Sequence, residues 1–410
     1  MRYNETLYCN PSTQSHPTTH ATTKPSHPQS RDDRRHHIRF RETRGLVLGL
    51  SPVPIHRFLP MMRLRHRRFD LQLTHEWAIS SDLGSGGKRL YPVVFVELQD
   101  SQGRSGIGEG SPSNQYQESH ETVRQFLDKI DPHQLSFDNI PASMAYLDTI
   151  APGRYPAKCA VNLALLDGAA KAAGQPVSGF LGLPFQHQCQ VSSFTIGLDT
   201  PEMIERKTRE ADGYTILKMK VGSPADRENL SALRRAAPDK PIRVDANAAW
   251  RTKEEALCQI EWMAADGRIE FVEQPMPPSS SEDDLVWLKE HSPLPLIADE
   301  SYQSAADAAH CARCYHGVNV KLVKTGGISA AKAALEAARA IGLKTMIGCM
   351  IESSVLISAG AHLASLSDYL DLDGNVLICN DPYTGVRNEG GRLSWVEVAA
   401  QTGLRVSPRT

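Results

Sequence analysis

The stretch Tyr214-Thr-Ile-Leu-Lys218-Met-Lys220 is an apolar run that ends in two lysines. Later apolar runs also end in a charged residue, namely Asp245, Glu273, Asp299 and Lys321. Counted from Lys220, these positions follow one another at intervals of 25, 28, 26 and 22 residues. A strand–helix–strand unit occupies roughly 30 residues, so each interval suits one such unit. We therefore expect the strand ends to meet at the carboxyl-end mouth of a barrel of parallel strands.

The alternation of strand and helix extends from about residue 190 to residue 371. This pattern predicts a parallel sheet with right-handed crossovers. Eight strands in roughly 180 residues indicate a closed α/β barrel rather than an open sheet. The predicted strands are 191–197, 215–220, 242–245, 270–273, 296–299, 318–321, 344–348 and 369–371.

A different pattern precedes the barrel. Residues 62–185 begin with strand-like alternation and continue with helical stretches such as 157–173, which has one apolar face. We predict an α+β domain here, completed by residues 380–410, and assign residues 186–379 to the barrel. A Gly/Ser-rich loop between the first two predicted strands is of the kind that folds over a ligand.

Residues 1–61 resemble neither part. Through about residue 44 they are rich in Thr, Ser, Pro, His and Arg and lack apolar periodicity. Such a segment cannot bury enough apolar surface to offset the entropy of ordering it. We predict a disordered extension or one upstream of the natural start, with a nucleic-acid-binding arm as the alternative.

The composition limits the possible partners and compartment. Among 410 residues, 22% are charged and the formal net charge is −2, which gives no reason to expect nucleic acid or a membrane surface. The eight cysteines are scattered through a large chain, which favours a reducing compartment over a disulfide framework. We therefore expect a cytoplasmic protein.

The three carboxylates at strand ends predict a metal site. Taken singly, Asp245, Glu273 and Asp299 could each cap the following helix. On neighbouring strands only about 5 Å apart, three carboxylates repel one another strongly unless a cation binds among them. Oxygen ligands without histidine or cysteine favour Mg²⁺ over zinc. We predict one Mg²⁺ per subunit at these residues.

The lysines predict acid/base chemistry. Lys218 and Lys220 lie two apart on a strand, so both side chains point to the same face. If that face lines the barrel, desolvation and the neighbouring charge favour a neutral amine that can act as a base. Lys321 is expected to approach from the opposite rim. For all three the alternative is a solvated surface position. Lys324 should face away or leave the strand, and we assign it no role.

Asp371-Leu-Asp373 places two more acids at the end of the eighth predicted strand. The structural explanation is a turn, because Asp-Gly is a common turn dipeptide. The functional explanation is a carboxylate pair that binds a cationic group of a substrate, most simply an α-ammonium group, and we favour it.

Five motifs carry a resemblance to a known family: Lys218-Met-Lys220, Val244-Asp-Ala-Asn247, Val272-Glu-Gln-Pro275, Ala298-Asp-Glu-Ser301 and Lys321-Leu-Val-Lys-Thr-Gly-Gly. From Met62 to about residue 400 the chain resembles the enolase superfamily and, within it, the muconate-lactonizing-enzyme subgroup. The pair Asp371 and Asp373 resembles the dipeptide epimerases of that subgroup, best known as L-Ala-D/L-Glu epimerases. The resemblance implies a modified (β/α)₇β TIM-type barrel with an α+β capping domain, and Mg²⁺ held by the three carboxylates.

The resemblance also implies roles for individual residues. Lys220 and Lys321 would be two acid/base catalysts on opposite faces of the substrate α-carbon. Lys218 would lower the pKa of Lys220 and contact the substrate carboxylate. The implied substrate-binding positions are Thr195, Lys218, Cys349, Ile351, Asp371 and Asp373.

Together these features predict a Mg²⁺-dependent isomerase that inverts the C-terminal residue of an L-Ala-Xaa type dipeptide by two-base 1,1-proton transfer through an enediolate. The loop 80–89 is small and uncharged in its middle, so the second residue of the dipeptide stays open. The alternatives are an o-succinylbenzoate synthase, an N-acylamino acid racemase, a muconate cycloisomerase, or a non-catalytic barrel with a relict site. Beyond a small-molecule dipeptide, we expect a homo-oligomer that binds neither nucleic acid nor membrane.

Overall fold

The computed structural model describes residues 61–83, 86–185 and 191–409. Residues 1–60 of the predicted extension lie outside these ranges. None of the helices in the described ranges is long and apolar enough to cross a bilayer.

An antiparallel sheet with helices forms the first part of the described chain. Its strands, in the order β1–β2–β3, are β1 Arg63–Trp77, β2 Lys88–Gln99 and β3 Ser105–Gly110. The helices that follow are α1 His120–Leu127, α2 Ile140–Ile150, α3 Tyr155–Ala172 and α4 Val177–Phe180. The α+β capping domain predicted from the sequence is confirmed.

Helix α3 packs directly on the backbone of β3. The sequence Gly106-Ile-Gly-Glu-Gly110 places a glycine at every second position, so the three glycines face one side of the strand. A Cβ atom on Gly106 or Gly108 would lie 1.9 Å from a carbonyl oxygen of α3. On α3, Asn162 also lies against Gly327 in the loop that follows β9, and its Nδ2 donates to Ser329 Oγ at 2.9 Å. Glycine is therefore required where the sheet and the helix meet.

Eight parallel strands form the second sheet, and they are paired in chain order. They are β4 Phe194–Ile196, β5 Leu217–Lys220, β6 Ile242–Asp245, β7 Ile269–Glu273, β8 Leu296–Ala298, β9 Gly317–Lys321, β10 Lys344–Gly348 and β11 Tyr369–Asp371. Just before β4, Ser193 N donates to Leu370 O on β11 at 3.1 Å. The two edges of the sheet thus meet, and the sheet is nearly closed into a barrel.

At least one helix follows each of the first seven barrel strands. These helices are α5 Pro201–Glu210, α6 Asp226–Ala236, α7 Lys253–Ala264, α8 Glu282–His291, α9 Ala308–Cys314, α10 Leu322–Thr325, α11 Ile328–Ala340 and α12 Ser354–Ala361. The modified (β/α)₇β barrel is confirmed, and each predicted strand ends within three residues of the observed one. The short helix α10 begins directly after Lys321.

The C-terminal stretch contacts both parts of the chain. It contains the short strands β12 Tyr383–Thr384, β13 Arg387–Glu389, β14 Arg392–Ser394 and β15 Ser407–Pro408. Cys379 N donates to Gln72 O on β1 at 2.8 Å, and Ser192 N, just before β4, donates to Gly391 O at 2.8 Å. The domain boundaries assigned from the sequence remain predictions.

His362, directly after α12, should make stability depend on pH. The ring is 1% exposed and stacks on Trp395 with 4.8 Å between ring centroids, and burial lowers its pKa to about 3. As pH falls below about 6.5, the unfolded chain takes up a proton at this residue before the folded chain does. We expect this histidine to remove roughly 3 kcal/mol from the free energy of unfolding between pH 7 and pH 4.

Denaturant unfolding at pH 7, 5 and 4 measures this effect. Between pH 7 and pH 4 the unchanged protein should lose roughly 3 kcal/mol more than the variant His362→Gln, whereas the exposed control His133→Gln should behave as the unchanged protein does. Parallel pH profiles for His362→Gln and the unchanged protein would contradict the assignment.

Candidate active site

The charged residues predicted from the sequence lie together at the carboxyl ends of the barrel strands. They are Lys218 and Lys220 on β5, Asp245 on β6, Glu273 on β7, Asp299 directly after β8, Lys321 on β9, and Asp371 and Asp373 at and after the end of β11. In the strand register Lys220 pairs with Asp245, and Asp245 pairs with Glu273. These side chains therefore start from one level of the barrel.

Asp245, Glu273 and Asp299 form a buried acidic triad. One carboxylate oxygen from each lies within 4.8 Å of the other two, and all three residues are fully buried. Glu273 Oε2 and Asp299 Oδ2 accept no hydrogen bond from the described residues, although ammonium nitrogens lie 2.7 and 2.8 Å away. Three buried oxygen donors with unused lone pairs are a donor set that suits a hard divalent cation such as Mg²⁺. The residues present therefore fit the predicted metal.

The charges within the triad are unequal. Burial raises the pKa of Asp245, but Lys218 and Lys220 outweigh burial and hold this pKa at about 2. Burial, reinforced by the charge of Asp245, raises the pKa of Glu273 to about 8. A cation bound among the three would favour the charged form of each.

Lys220 and Lys321 contact different members of the triad. Lys220 Nζ lies 2.6 Å from Asp245 Oδ2, and Lys321 Nζ lies 2.8 Å from Asp299 Oδ2. Strand β7, which carries Glu273, lies between the strands of these two carboxylates. The two ammonium groups thus flank the triad from either side.

Lys218 bridges the triad to the acid pair on β11. Its Nζ lies 2.7 Å from both Glu273 Oε2 and Asp371 Oδ2, and 3.0 Å from Asp245 Oδ2. Burial lowers the pKa of Lys218, but the three carboxylates outweigh burial and raise it well above the usual value. The expectation that desolvation and a second lysine favour a neutral amine is therefore wrong for Lys218 in this arrangement.

Asp371 and Asp373 form a second buried acidic group. Asp371 accepts from Ser193 Oγ at 2.8 Å, and Asp373 accepts from the Thr195 backbone N–H at 2.7 Å. Burial and the charge of Asp371 raise the pKa of Asp373 to about 6. Among the residues with described positions, no cation pairs with Asp373, so this carboxylate has capacity for a cationic partner.

These groups line one cavity of about 50 Å³. From the barrel it is lined by Thr195, Lys218, Lys220, Lys321, Cys349, Ile351, Asp371 and Asp373. From the capping domain it is lined by Trp77, Ile79, Tyr91, Ser113 and Gln115. The structure thus brings the predicted substrate-lining residues together beside the triad. The contribution of the capping domain was not predicted residue by residue, because no local pattern relates β1 and β2 to strand ends more than 100 residues away.

Lys324 corrects one of the predictions. It does leave the strand, as expected, but its side chain turns back into the site instead of facing away. Its Nζ is buried, lies 2.5 Å from Asp299 Oδ1 and donates to Asn319 O at 2.9 Å. Helix α10 begins at Leu322, directly after the strand, and turns Lys324 back toward the strand end; four residues are too few for a sequence pattern to predict such a helix.

Two domain families match most of the described chain. Residues 76–182 match the mandelate racemase / muconate lactonizing enzyme N-terminal domain, and residues 202–377 match the enolase C-terminal domain-like family. The chain belongs to the enolase superfamily. Within it, the matched N-terminal domain places the chain with the mandelate racemases and muconate-lactonizing enzymes, as the sequence motifs predicted.

Relatives in this superfamily are similar over nearly their whole length. The chain is 53% identical over 345 residues to the L-Ala-D/L-amino acid epimerase of Pedosphaera parvula, which covers 84% of this chain and 99% of that protein. The L-Ala-D/L-Glu epimerase of Bacillus subtilis, in a substrate-liganded complex, superposes with a TM-score of 0.78 at 26% identity, over 86% and 99% of the two chains. The dipeptide epimerase of Enterococcus faecalis, with Mg and L-Leu-L-Tyr, gives 0.74 at 29% identity, over 85% and 99%. The chain is an isomerase of this superfamily.

Proposed function

We propose that this isomerase is a Mg²⁺-dependent dipeptide epimerase that inverts the α-carbon of the C-terminal residue of an L-Ala-Xaa type dipeptide. The observation that carries the proposal is the position of Lys220 and Lys321 on either side of one acidic triad. The buried pair Asp371 and Asp373 in the same cavity supports a substrate with an ammonium group. The epimerases among the relatives support the same reaction class.

Asp245, Glu273 and Asp299 would hold the Mg²⁺. When bound, the ion would supply positive charge to the substrate carboxylate, which gains negative charge as the α-proton leaves, an effect typically worth several kcal/mol. Lys218 would add a second positive charge at the same carboxylate. Its position between the triad and Asp371 supports that role, since its Nζ lies within 3.0 Å of both groups.

Lys220 and Lys321 would move the proton. One lysine, as the neutral amine, removes the α-proton from one face of the substrate. The other, as the ammonium ion, returns a proton to the opposite face, and the centre is inverted. The reverse reaction exchanges the two roles, so each lysine is acid in one direction and base in the other. A lyase or synthase on the same scaffold would need only one such base.

Asp371 and Asp373 would bind the ammonium terminus of the dipeptide. This binding fixes the distance from the terminus to the reacting α-carbon, and it favours the second residue of a dipeptide over a free amino acid. The substrates of o-succinylbenzoate synthases and muconate cycloisomerases carry no ammonium group, and an N-acylamino acid carries none on its acylated α-nitrogen. The acid pair therefore favours the epimerase over those alternatives.

The cavity walls support an apolar second residue. Trp77, Ile79 and Tyr91 extend over the cavity from the capping domain. Ile79 and Tyr91 also line an adjoining groove of about 530 Å³, in which Lys88 Nζ pairs with Asp82 at 3.1 Å. Because this ion pair neutralises the lysine, and Glu118 and Glu121 also line the groove, the groove disfavours the carboxylate of glutamate. The complex of the Enterococcus faecalis enzyme with L-Leu-L-Tyr supports the same preference.

Incubation with Mg²⁺ and a library of L-Ala-L-Xaa dipeptides in D₂O tests the proposal. We expect one deuterium at the α-carbon of the C-terminal residue and the appearance of L-Ala-D-Xaa, fastest for apolar Xaa. A sample treated with a chelator should show neither change. Absence of exchange across the library, or exchange confined to the first residue, would refute the proposal. Homo-oligomeric assembly and a cytoplasmic location remain predictions.

A further inference from the structure

Glu300 is a buried carboxylate that follows the triad residue Asp299 directly. It is 5% exposed, and no ion pair joins it to any residue whose position is described. The nearby ammonium groups of Lys321 and Lys324 both contact Asp299 instead. Two neutral amides donate to Glu300 Oε1, namely Gln115 Nε2 at 2.6 Å and Asn247 Nδ2 at 3.3 Å. None of the residues that the structure describes donates a hydrogen bond to Glu300 Oε2.

Two further buried oxygens near Glu300 are also without partners. Asn247 Oδ1 and Tyr116 Oη accept no hydrogen bond within the described chain. Asn247 belongs to the metal end of the barrel, because its backbone N–H donates to Asp245 Oδ1 at 2.9 Å. The charges of Asp299, Glu300, Asp245 and Glu273 all raise the pKa of Tyr116, after the larger effect of burial. Glu300 and Asn247, which are joined by a hydrogen bond, thus place two such oxygens beside the triad, and Tyr116 follows Gln115, which also contacts Glu300, directly in the chain.

The backbone at Asn247, which carries one of these oxygens, has an uncommon conformation. Asn247 has a φ of 45°, in the left-handed region that asparagine tolerates better than most residues. Buried polar atoms in native proteins are normally satisfied, and each exception needs an explanation. These exceptions, one on Glu300 itself and one each on Asn247 and Tyr116, indicate a ligand that donates hydrogen bonds at this place.

We propose that Glu300, together with Asn247 and Tyr116, binds the water ligands of the divalent cation held by the triad; this inference rests on the proposed Mg²⁺ dependence. Mg²⁺ prefers six ligands and usually keeps several waters, and three carboxylates do not complete that number. Metal-bound water donates hydrogen bonds, and a hydrogen-bond donor is the partner that all three oxygens lack. Glu300 is a positioning residue: it acts on the cation through water, and Gln115 of the capping domain orients it.

Metal binding to the full-length protein tests this role without an activity assay. Mn²⁺ is the probe, because its affinity can be measured by calorimetry and its water ligands by proton relaxation. We expect Glu300→Gln to weaken Mn²⁺ binding by about 10- to 100-fold, the range typical of outer-shell partners, and to change the relaxation enhancement of the bound ion. The exposed control Glu290→Gln on α8 should bind as the unchanged protein does.

The outcomes separate this inference from the proposed function. If the unchanged protein binds no Mn²⁺, the Mg²⁺ dependence itself is wrong. If the unchanged protein binds Mn²⁺ and Glu300→Gln binds it equally well with the same relaxation enhancement, only the role of Glu300 is wrong. Thermal unfolding checks that the variant folds. If it does not, Glu300→Asp keeps the charge on a shorter side chain, and unchanged affinity and relaxation in that variant would overturn the inference.

Discussion

Lys321→Gln should abolish epimerisation while leaving α-proton exchange intact at one of the two epimers. The two lysines flank the acidic triad, so each is expected to face the α-proton of one epimer only. Removal of one acid/base group lowers a rate by typically 10²- to 10⁴-fold, and inversion requires both groups. With Lys220 in place, the epimer whose proton faces Lys220 can still exchange in D₂O. Proton NMR on separate samples of L-Ala-L-Xaa and L-Ala-D-Xaa measures both properties.

Two controls make this result specific. Lys220→Gln should show the reciprocal pattern, with exchange retained at the other epimer. Lys332→Gln changes a partly exposed lysine of α11, which pairs with Glu336 on the same helix, and should leave the rate unchanged. Loss of exchange at both epimers to the same extent in Lys321→Gln would instead indicate general damage to the site. Undiminished epimerisation would exclude Lys321 as a base.

The double variant Asp371→Asn/Asp373→Asn should lose most activity on dipeptides. The substrate ammonium group would then enter a buried site that offers amides in place of two carboxylates. Loss of one partner of a buried charge pair costs about 2–5 kcal/mol, which corresponds to a decrease in kcat/KM of roughly 30- to 5,000-fold. Initial rates with L-Ala-L-Leu over a range of concentrations measure the change.

The single variant Asp373→Asn is the cleaner test, because Asp371 also pairs with Lys218 at 2.7 Å. An N-acetylated dipeptide serves as the matched substrate, since it lacks the ammonium group. Its slow turnover should be similar in the variant and in the unchanged enzyme. Equal losses on both substrates would mean that Asp373 shapes the cavity and does not bind the ammonium terminus. Unchanged dipeptide turnover would remove the argument for a dipeptide substrate.

The barrel and its charged strand ends could be predicted because both are local patterns. An apolar run that ends in Asp245 or Glu273, repeated at the length of one strand–helix unit, needs no knowledge of distant contacts. Parallel strands in a barrel bring their carboxyl ends together, independently of the sequence and conformation of the loops. For this reason the residues of the triad and both flanking lysines were found from spacing and residue type.

The environment of these side chains could not be predicted in the same way. The raised pKa of Lys218 results from three carboxylates on β6, β7 and β11, and the balance between burial and attraction depends on distances. Trp77 and Gln115 reach the cavity from the capping domain, and Lys324 is turned toward Asp299 by the short helix α10, which begins directly after β9. Such contacts join segments that are far apart in sequence, and no periodic pattern of residues predicts them.

The glycines of β3 have a consequence for how substitutions spread through the enzyme. Because backbone touches backbone there, even one methyl group at Gly106 or Gly108 would displace the whole of helix α3. The same helix carries Asn162, which lies against Gly327 shortly after Lys321. A substitution in β3 would therefore be transmitted through helix α3 to the segment that follows Lys321, and natural variation at Gly106 and Gly108 should be almost nil.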